Sequence, residues 1–279
     1  MNSRHKTSLI LFGIIFLSGC INIPGFGSGG GGAGLSISKL EAIPSTVGPG
    51  EPISVLMTLK NDGSDTARNV IAELQGLTTE WGISPARVQA TPDIPGATKS
   101  GTTSIPGEER DISWTLYGPS KSVELPYDVK AQISYLYTSN LEGQIKAVTT
   151  DYLRMKNDRG GVTSASSSGP IKISMSVPST VMSTPRVSVQ FTFSNSGKGR
   201  VHSVSGGGSE SLDFLFVSVN GAYCPVSLVH LSGGSSGTIR CYVDTSGVAG
   251  FGVFSVSVST TYLYTMDQDF KVTIQPRSI

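Results

Sequence analysis

The sequence contains few of the residues that catalysis, metal binding and nucleic-acid binding require. Its 279 residues include only three histidines, the charged fraction is 15%, and the net charge is +1. So small a charge imbalance creates no field that would recruit nucleic acid. His5, His202 and His230 are far apart and have no cysteine or carboxylate at ligand spacing, so we expect no metal site. Because no Gly-x-Ser-x-Gly motif appears either, we expect a protein that is not an enzyme and needs no cofactor.

One turn carries several oxygen atoms that could bind a cation. Residues 61–65 read NDGSD, which resembles a fragment of a calcium loop. The alternating acids and the terminal bidentate glutamate of such a loop are missing. A turn that ends a strand is therefore the favoured interpretation, and calcium binding is the alternative.

The apolar run near the N-terminus is too short to cross a membrane. Leu9 to Leu17 contains nine residues, whereas a membrane-spanning helix needs about 20. Basic residues at 4–6 precede the run and the small pair Ser18-Gly19 follows it, which predicts a signal peptide over residues 1–19. The Gly-rich segment after it, within residues 20–34, predicts a flexible tether.

The residues at the end of this run, Leu17-Ser-Gly-Cys20, resemble the lipobox of prokaryotic lipoproteins. In that family the chain is cut before the cysteine, which then carries a diacylglyceryl group. The resemblance implies that Cys20 is lipidated, and that the exported protein is anchored to the outer face of the cytoplasmic membrane. Two acyl chains suffice for stable anchoring. An ordinary secretory signal with an unmodified Cys20 is the alternative.

Cysteine is scarce, and the remaining two cysteines form an even pair. In an oxidising location, Cys224 and Cys241 are expected to form a disulfide. If they face each other across a hairpin, Leu231 lies opposite Gly234 and Ser232-Gly233 forms a two-residue turn. This local hairpin is the favoured geometry, and a bridge between two sheets is the alternative.

The sequence is internally repeated. Three blocks recur in the same order: PSTV at 44–47 and 178–181, a strand and turn at 53–63 and 187–197, and YLYT at 135–138 and 262–265. The blocks alternate apolar and polar residues, which predicts half-buried antiparallel strands. Short strands of this kind, separated by turns in units near 110 residues, predict an all-β protein of two tandem Ig-like β-sandwich domains. The predicted domains are 35–155 and 171–279, with a Gly/Ser linker at 156–170.

The turn at 61–63, followed by Thr66-Ala-Arg-Asn-Val70, resembles the Ig-like modules of the CARDB type found in prokaryotic surface proteins. The second copy lacks the alanine, so its membership depends on the duplication. The series formed by Pro106-Gly107, Trp114 and Tyr135-x-Tyr137 resembles archaeal surface proteins associated with S-layers. The resemblance implies tandem Ig-like domains at a cell surface, and it implies fold more than function.

Trp81 is the predicted position of a binding surface, because it precedes a long Pro-rich loop at 84–106. The leading hypothesis is a non-catalytic, lipid-anchored surface protein with a structural role or a role in binding a protein or glycan. The alternative is a carbohydrate- or ligand-binding accessory subunit of a surface enzyme or transporter. A shallow aromatic groove around Trp81 would favour the alternative. The sequence sets no oligomeric state and predicts no nucleic-acid partner.

Overall fold

The computed structural model describes residues 34–100, 103–204 and 211–276. The predicted signal peptide, Cys20 and nearly all of the predicted tether therefore lie outside the described residues. The chain is 62% strand and 3% helix, which confirms the all-β prediction. Within the described residues, the helix is too short and too polar to span a bilayer.

The first copy contains ten strands: β1 (Leu35–Ile43), β2 (Thr46–Val47), β3 (Pro52–Asn61), β4 (Arg68–Gln75), β5 (Gly82–Ser84), β6 (Val88–Thr91), β7 (Thr98–Ser100), β8 (Thr103–Ile105), β9 (Glu109–Tyr117) and β10 (Leu125–Val148). The remainder contains one helix and nine strands: α1 (Thr150–Lys156), β11 (Gly161–Ser166), β12 (Ile171–Ser176), β13 (Val187–Asn195), β14 (Arg200–Ser203), β15 (Phe214–Phe216), β16 (Ser218–Asn220), β17 (Leu228–His230), β18 (Ser236–Val243) and β19 (Phe251–Ile274).

Each copy forms a two-layer sandwich. In the first, the sheet β1-β3-β9-β5 packs on β10, β4 and β6. In the second, the sheet β12-β13-β18 packs on β19 with β14 and β16. The alternation predicted from the sequence places the apolar side chains inward, and these are fully buried in β3 (Ile53, Val55, Met57, Leu59) and nearly so in β13 (Val187, Val189, Phe191, Phe193).

The two sandwiches share one sheet through their longest strands. β10 and β19 pair antiparallel along their whole lengths, from Leu125 opposite Ile274 to Val148 opposite Phe251. Leu136 lies opposite Leu263, which is its own counterpart in the repeat, so a pseudo-twofold axis passes between them. The continuous ladder joins the two sandwiches in addition to the covalent connection between them.

Four tyrosines surround this axis, and we call them the central tyrosines: Tyr135, Tyr137, Tyr262 and Tyr264. Each is at most 1% exposed, and Tyr135 lies opposite Tyr264 as Tyr137 lies opposite Tyr262. Their ring centroids are 5.7 Å apart in the first pair and 6.3 Å in the second. The Tyr-x-Tyr segments of both copies therefore pack together in the core at the junction of the two sandwiches.

The segment at 156–170 requires a correction. Its composition predicts a flexible linker, but residues 161–166 form β11, which pairs with β10 from Leu141 opposite Ser166 to Lys146 opposite Gly161. The reason is that β10 extends beyond the first sandwich, and its free edge offers unpaired backbone groups that a short strand can satisfy. Small residues such as Gly161 and Ser164 are compatible with this pairing.

A turn at the end of β3 is closed by hydrogen bonds of the Asn61 side chain. The Asn61 amide donates to the carbonyl of Asp65 at 2.8 Å, and its Oδ1 accepts from the Gly63 N–H at 3.1 Å. The Asp65 N–H in turn donates to the Tyr137 hydroxyl at 3.0 Å. The side chain of Asn61 thus closes the turn, as the strand-ending interpretation predicts.

The second copy repeats this network. Asn195 donates to the carbonyl of Gly199 at 2.9 Å and accepts from the Gly197 N–H at 3.2 Å. The Gly199 N–H donates to the Tyr264 hydroxyl at 2.8 Å. Because equivalent atoms make equivalent bonds in both copies, the duplication read from the sequence extends to the hydrogen bonds that close each sandwich.

Candidate functional site

Trp81 does not form a binding surface, which corrects the prediction from the sequence. Its side chain is only 5% exposed and packs edge-on against Tyr127, with ring centroids 5.0 Å apart. The segment that follows is not one open loop, because β5 pairs with β9 and β6 pairs with β4. This pairing closes the sandwich over Trp81, whose large apolar area favours burial.

The other polar candidates also have structural roles or are isolated. His202 is half-buried in β14, and the exposed His230 lies against the Phe214 ring with 4.7 Å between centroids. Glu108 pairs with its neighbour Arg110 at 2.9 Å. Across the residues that the structure describes, no three histidine, cysteine, aspartate or glutamate side chains converge as a metal site would require.

A pair of tyrosines on the second sandwich is the best candidate for a binding site. Tyr223 lies opposite Tyr242 on β18, and their backbones exchange two hydrogen bonds of 2.8 Å. Directly opposite residues of antiparallel strands place their side chains on the same face. Here that face is the outer one, and Tyr223 is 70% exposed. An aromatic residue so exposed is not required by the core.

A disulfide on the inner side of the sheet constrains the backbone of this pair. Cys224 and Cys241 are bonded, as predicted, and they follow Tyr223 and precede Tyr242, respectively. Because strand residues alternate between faces, the disulfide lies on the inner side, where Cys241 is fully buried. The staple therefore holds the backbone that presents the two rings.

The hairpin predicted around the disulfide is correct near the cysteines and wrong at the turn. The pairing of Tyr223 with Tyr242 has the register expected for a local staple. The Gly234 N–H donates to the Leu231 carbonyl at 3.0 Å around Ser232-Gly233, as in the predicted turn, but the hairpin closes with Ser232 opposite Ser236, so its register differs from the predicted one. The reason is that β17 leaves this ladder and pairs with β15 instead.

A groove of ≈ 430 Å³ surrounds the tyrosines, lined by Pro185, Arg186, Gly221, Ala222, Tyr223, Tyr242 and Asp244. Arg186 and Asp244 place one positive and one negative charge at its wall. The Ser246 hydroxyl and N–H donate to Asp244 Oδ1 at 2.7 and 2.9 Å. These bonds lower the pKa of the Asp244 carboxyl below its ordinary value, so the carboxylate is a fixed acceptor at neutral pH.

A second groove of ≈ 220 Å³ continues across the same sheet face, lined by Ser176, Val177, Pro178, Ser188, Gln190 and Arg240. The two grooves are neighbours, since Ser188 of β13 lies opposite Tyr242 and Gln190 lies opposite Arg240. We call the joined surface the tyrosine face. Its side chains are hydroxyls, an amide and guanidinium groups around two aromatic rings.

The first sandwich provides an internal comparison, because its equivalent positions can be identified by register. Val55 pairs with Trp114, and its counterpart Val189 pairs with Cys241. The next residue along β9 is Thr115, which lies opposite Ser84. Serine and threonine in the first copy thus correspond to Tyr223 and Tyr242 in the second.

The residue next to the pair on the inner side of the sheet also differs between the two copies. In the first sandwich, the Trp114 indole N–H donates to the Ala86 carbonyl at 3.0 Å and attaches the crossing segment to β9. In the second, the disulfide from Cys241 makes the equivalent attachment. The fold therefore accepts either a tryptophan hydrogen bond or a disulfide at this position, and it does not need the tyrosines.

The outer face of the first sandwich is occupied by contacts among its own side chains. Lys60 pairs with Asp62 at 3.4 Å and with Glu109 at 3.9 Å. Thr58 donates to Asp111 at 2.6 Å. On the tyrosine face, in contrast, Arg186 and Arg240 form no ion pair with any carboxylate of the described residues. These donors remain available to a ligand.

No protein-family model matches this sequence, and no curated protein matches it. Among solved structures, the chain is similar to the D0-D1 domain of intimin, at 12% identity over 86% of this chain and 98% of that chain, with a TM-score of 0.22. It is also similar to the secreted serine protease VesC from Vibrio cholerae (13% identity, 83% of this chain and 50% of that chain, TM-score 0.20) and to the collagen adhesin CNA from S. aureus (11%, 86% and 92%, TM-score 0.15). Scores this low carry no argument about function, and the fold class rests on the sheets described above.

Sequence reasoning missed Tyr223 and Tyr242, although a signal was present. Aligning the repeat through the glycines at 82 and 221 places Gly-Ile-Ser-Pro against Gly-Ala-Tyr-Cys. The substitution of serine by tyrosine at one of the few well-aligned loop positions is the signal. This substitution can be recognised as meaningful only when the pairing of each segment with β9 or β18 is known, because that pairing identifies the equivalent residues.

Proposed function

We propose that this protein is a non-catalytic, extracytoplasmic binding protein, held to a membrane by lipid on Cys20, that contacts its partner through the tyrosine face. The observation that carries the proposal is the pair of the exposed Tyr223 and the half-buried Tyr242, which stands where the first sandwich has Ser84 and Thr115. The first sandwich exposes Tyr117 opposite Pro52 and Gly82, without an aromatic partner, so the pairing of two adjacent tyrosines distinguishes the second copy and favours a binding role.

Two further features support an extracytoplasmic location. The disulfide between Cys224 and Cys241 is stable in oxidising compartments. The N-terminal run that ends at Cys20 has the pattern of a lipoprotein signal, and the Gly-rich residues after it would separate the folded part from the membrane. The CARDB-like modules and the S-layer-associated resemblance make an archaeal envelope the proposed setting.

The accessory-subunit alternative depended on an aromatic groove around Trp81. That ring is buried, so the alternative has no platform at the position where it was expected. The tyrosine face provides a groove elsewhere, and it supports binding without favouring attachment to an enzyme or a transporter.

Photo-crosslinking on intact cells tests the proposed contact. A photoreactive residue in place of Pro185, which lines the groove, should capture a neighbour. Adding Tyr223→Ser and Tyr242→Thr should abolish that capture, because these residues fold in the equivalent position of the first sandwich. The matched control is Tyr117→Ser, which removes the exposed tyrosine at the end of β9 and should leave capture unchanged. Equal capture with and without the two tyrosines would refute the role of this face.

The anchor is tested separately. Cys20→Ser should move the protein from the membrane fraction to the soluble fraction, since the lipid-bearing thiol is lost. Retention in the membrane fraction after a wash with high salt and carbonate would show that lipid on Cys20 is not the anchor.

A further inference from the structure

We infer that the tyrosine face is a binding site for a neutral hexose oligosaccharide. This inference rests on the proposed function, and it specifies the chemical class of the partner. It depends on three properties of the face: two aromatic rings on a constrained backbone, a donor and an acceptor of opposite charge beside them, and a groove that continues across several strands.

The rings match the apolar side of a sugar. A pyranose ring presents C–H groups on its faces and hydroxyls around its edge, so it packs on an aromatic ring while its hydroxyls remain free to hydrogen-bond. The backbone of Tyr223 and Tyr242 is fixed by the hydrogen bonds between them and by the adjacent disulfide. Because the backbone is already ordered, binding loses conformational entropy only in the side chains, which matters for a ligand with weak individual contacts.

The charged groups match the hydroxyls. A sugar hydroxyl both donates and accepts, so neighbouring hydroxyls are suited to a carboxylate and a guanidinium placed side by side. Asp244 Oδ1 is used by Ser246, and Oδ2 accepts no hydrogen bond within the part of the chain that the structure describes. Arg186 provides donors on the same groove. The charges of Arg186 and Asp244 cancel within the groove around the tyrosines, which favours a neutral ligand there, whereas Arg240 in the second groove gives the whole tyrosine face a charge of +1.

The extent of the face indicates an oligosaccharide instead of a single sugar. The grooves run from Tyr223 across β18 and β13 to the end of β12, which is three inter-strand spacings or about 14 Å. Beyond the tyrosines, Ser188, Gln190 and Arg240 offer hydroxyl, amide and guanidinium groups. These are hydrogen-bonding groups without an apolar centre, which is the composition of a sugar subsite more than of a protein interface core.

The test is a binding screen with the full chain purified in detergent. The probes are neutral hexose oligosaccharides, namely fragments of glucans, mannans and galactans, together with uronic-acid oligosaccharides of the same length. At least one neutral probe should bind, measured by calorimetry. Tyr223→Ser with Tyr242→Thr should weaken that binding about tenfold or more, because both stacking faces are removed, while the thermal midpoint is kept by the copy-one residues. The control Tyr117→Ser should leave the affinity unchanged.

Asp244→Asn provides a second variant whose fold is not in question, since the carboxyl is exposed. It should weaken binding of the same probe several-fold by replacing a charged acceptor with a neutral one. Binding of uronic-acid probes only, no binding of any neutral probe, or neutral binding that survives loss of both tyrosines would overturn the inference.

The photo-crosslinked adduct at residue 185 also distinguishes a glycan ligand from a protein partner. An adduct at residue 185 that glycosidases remove and proteases leave in place supports the glycan. An adduct with a protein neighbour that disappears in the double tyrosine variant overturns the glycan inference and leaves the proposed function standing. If neither an adduct nor a glycan ligand is found, the proposed function fails as well.

Discussion

The two innermost tyrosines are equivalent in the repeat but differ in their hydrogen bonds, and this difference predicts opposite responses to the same mutation. The Tyr262 hydroxyl contacts Ser139 Oγ at 2.8 Å and accepts from the Ile171 N–H at 3.2 Å. The Tyr135 hydroxyl has no hydrogen-bond partner among the described residues, although the Leu35 N–H lies beside it. Tyr262→Phe and Tyr135→Phe should therefore have different effects on stability.

The repeat explains the asymmetry. Under the offset that maps Tyr135 onto Tyr262, Ser139 maps onto Met266, which packs against the core and cannot donate to a hydroxyl. The pseudo-twofold arrangement thus keeps the ring but does not keep the hydroxyl partner that Ser139 provides for Tyr262. A buried polar group without a partner costs free energy that a hydrogen-bonded one does not.

The magnitudes follow from the groups left unpaired. Tyr262→Phe leaves the hydroxyl of the fully buried Ser139 and the N–H of Ile171 without a partner. At about 1–3 kcal/mol for each of these two unsatisfied groups, the free energy of unfolding should fall by about 2–6 kcal/mol. Tyr135→Phe removes a hydroxyl that is already unpaired, so the free energy of unfolding should change by no more than about 0.5 kcal/mol or should rise.

The assay is urea unfolding of both variants, followed by far-ultraviolet circular dichroism and tryptophan fluorescence. Ser139→Ala in the Tyr262→Phe background serves as the check, because it removes the orphaned hydroxyl and should recover part of the loss. If the two phenylalanine variants lose equal stability, the hydrogen-bond argument is wrong and ring packing alone determines the cost.

Three further predictions concern the staple, the turns and the buried phenols. Replacing Cys224 and Cys241 with alanine should lower the free energy of unfolding by about 3 kcal/mol, measured by urea unfolding, and should weaken binding at the tyrosine face, measured by calorimetry. Unchanged affinity would show that binding at the tyrosine face does not depend on the disulfide. Gly63→Ala and Gly197→Ala should each lower the thermal midpoint by several degrees, because an added Cβ would meet the hydroxyl of a central tyrosine. The control for contact is Gly48→Ala, whose added Cβ would meet only the flexible Glu51 side chain, at 3.3 Å. Burial raises the pKa of all four central tyrosines, so their contribution to the free energy of unfolding is present below about pH 10 and is lost as the pH rises toward the folded-state pKa values. In a titration followed by phenolate absorbance, these four tyrosines should ionise only when the protein unfolds. Ionisation of all nine tyrosines before unfolding would contradict this.

Much of the fold could be predicted because it depends on local patterns. Alternation in β3 and β13 sets which side chains are buried, and the Asn-x-Gly turns end both strands. The disulfide followed from counting cysteines in a chain whose N-terminus predicts export. Each of these properties is determined by a few neighbouring residues, so the sequence displays it directly.

The shared sheet and the site could not be predicted, because both depend on pairing between distant segments. The strand that ends at Val148 reads from its sequence as the last strand of one domain, and nothing local shows that it pairs with β19. Trp81 looked exposed because the following prolines suggested a loop, whereas β5 and β6 are held by strands far along the chain. Tyr223 gained its position from Tyr242 in the same way.

The ladder between β10 and β19 also couples the two sandwiches mechanically. Twenty-four paired residues at about 3.3 Å each give a ribbon about 80 Å long that runs through both sandwiches. Such a ribbon cannot bend at a hinge between the copies, so a pull applied at the tyrosine face is transmitted to the start of β1 as translation and torque of one body. A ligand bound at the tyrosine face would therefore keep a constant distance and orientation relative to the first sandwich.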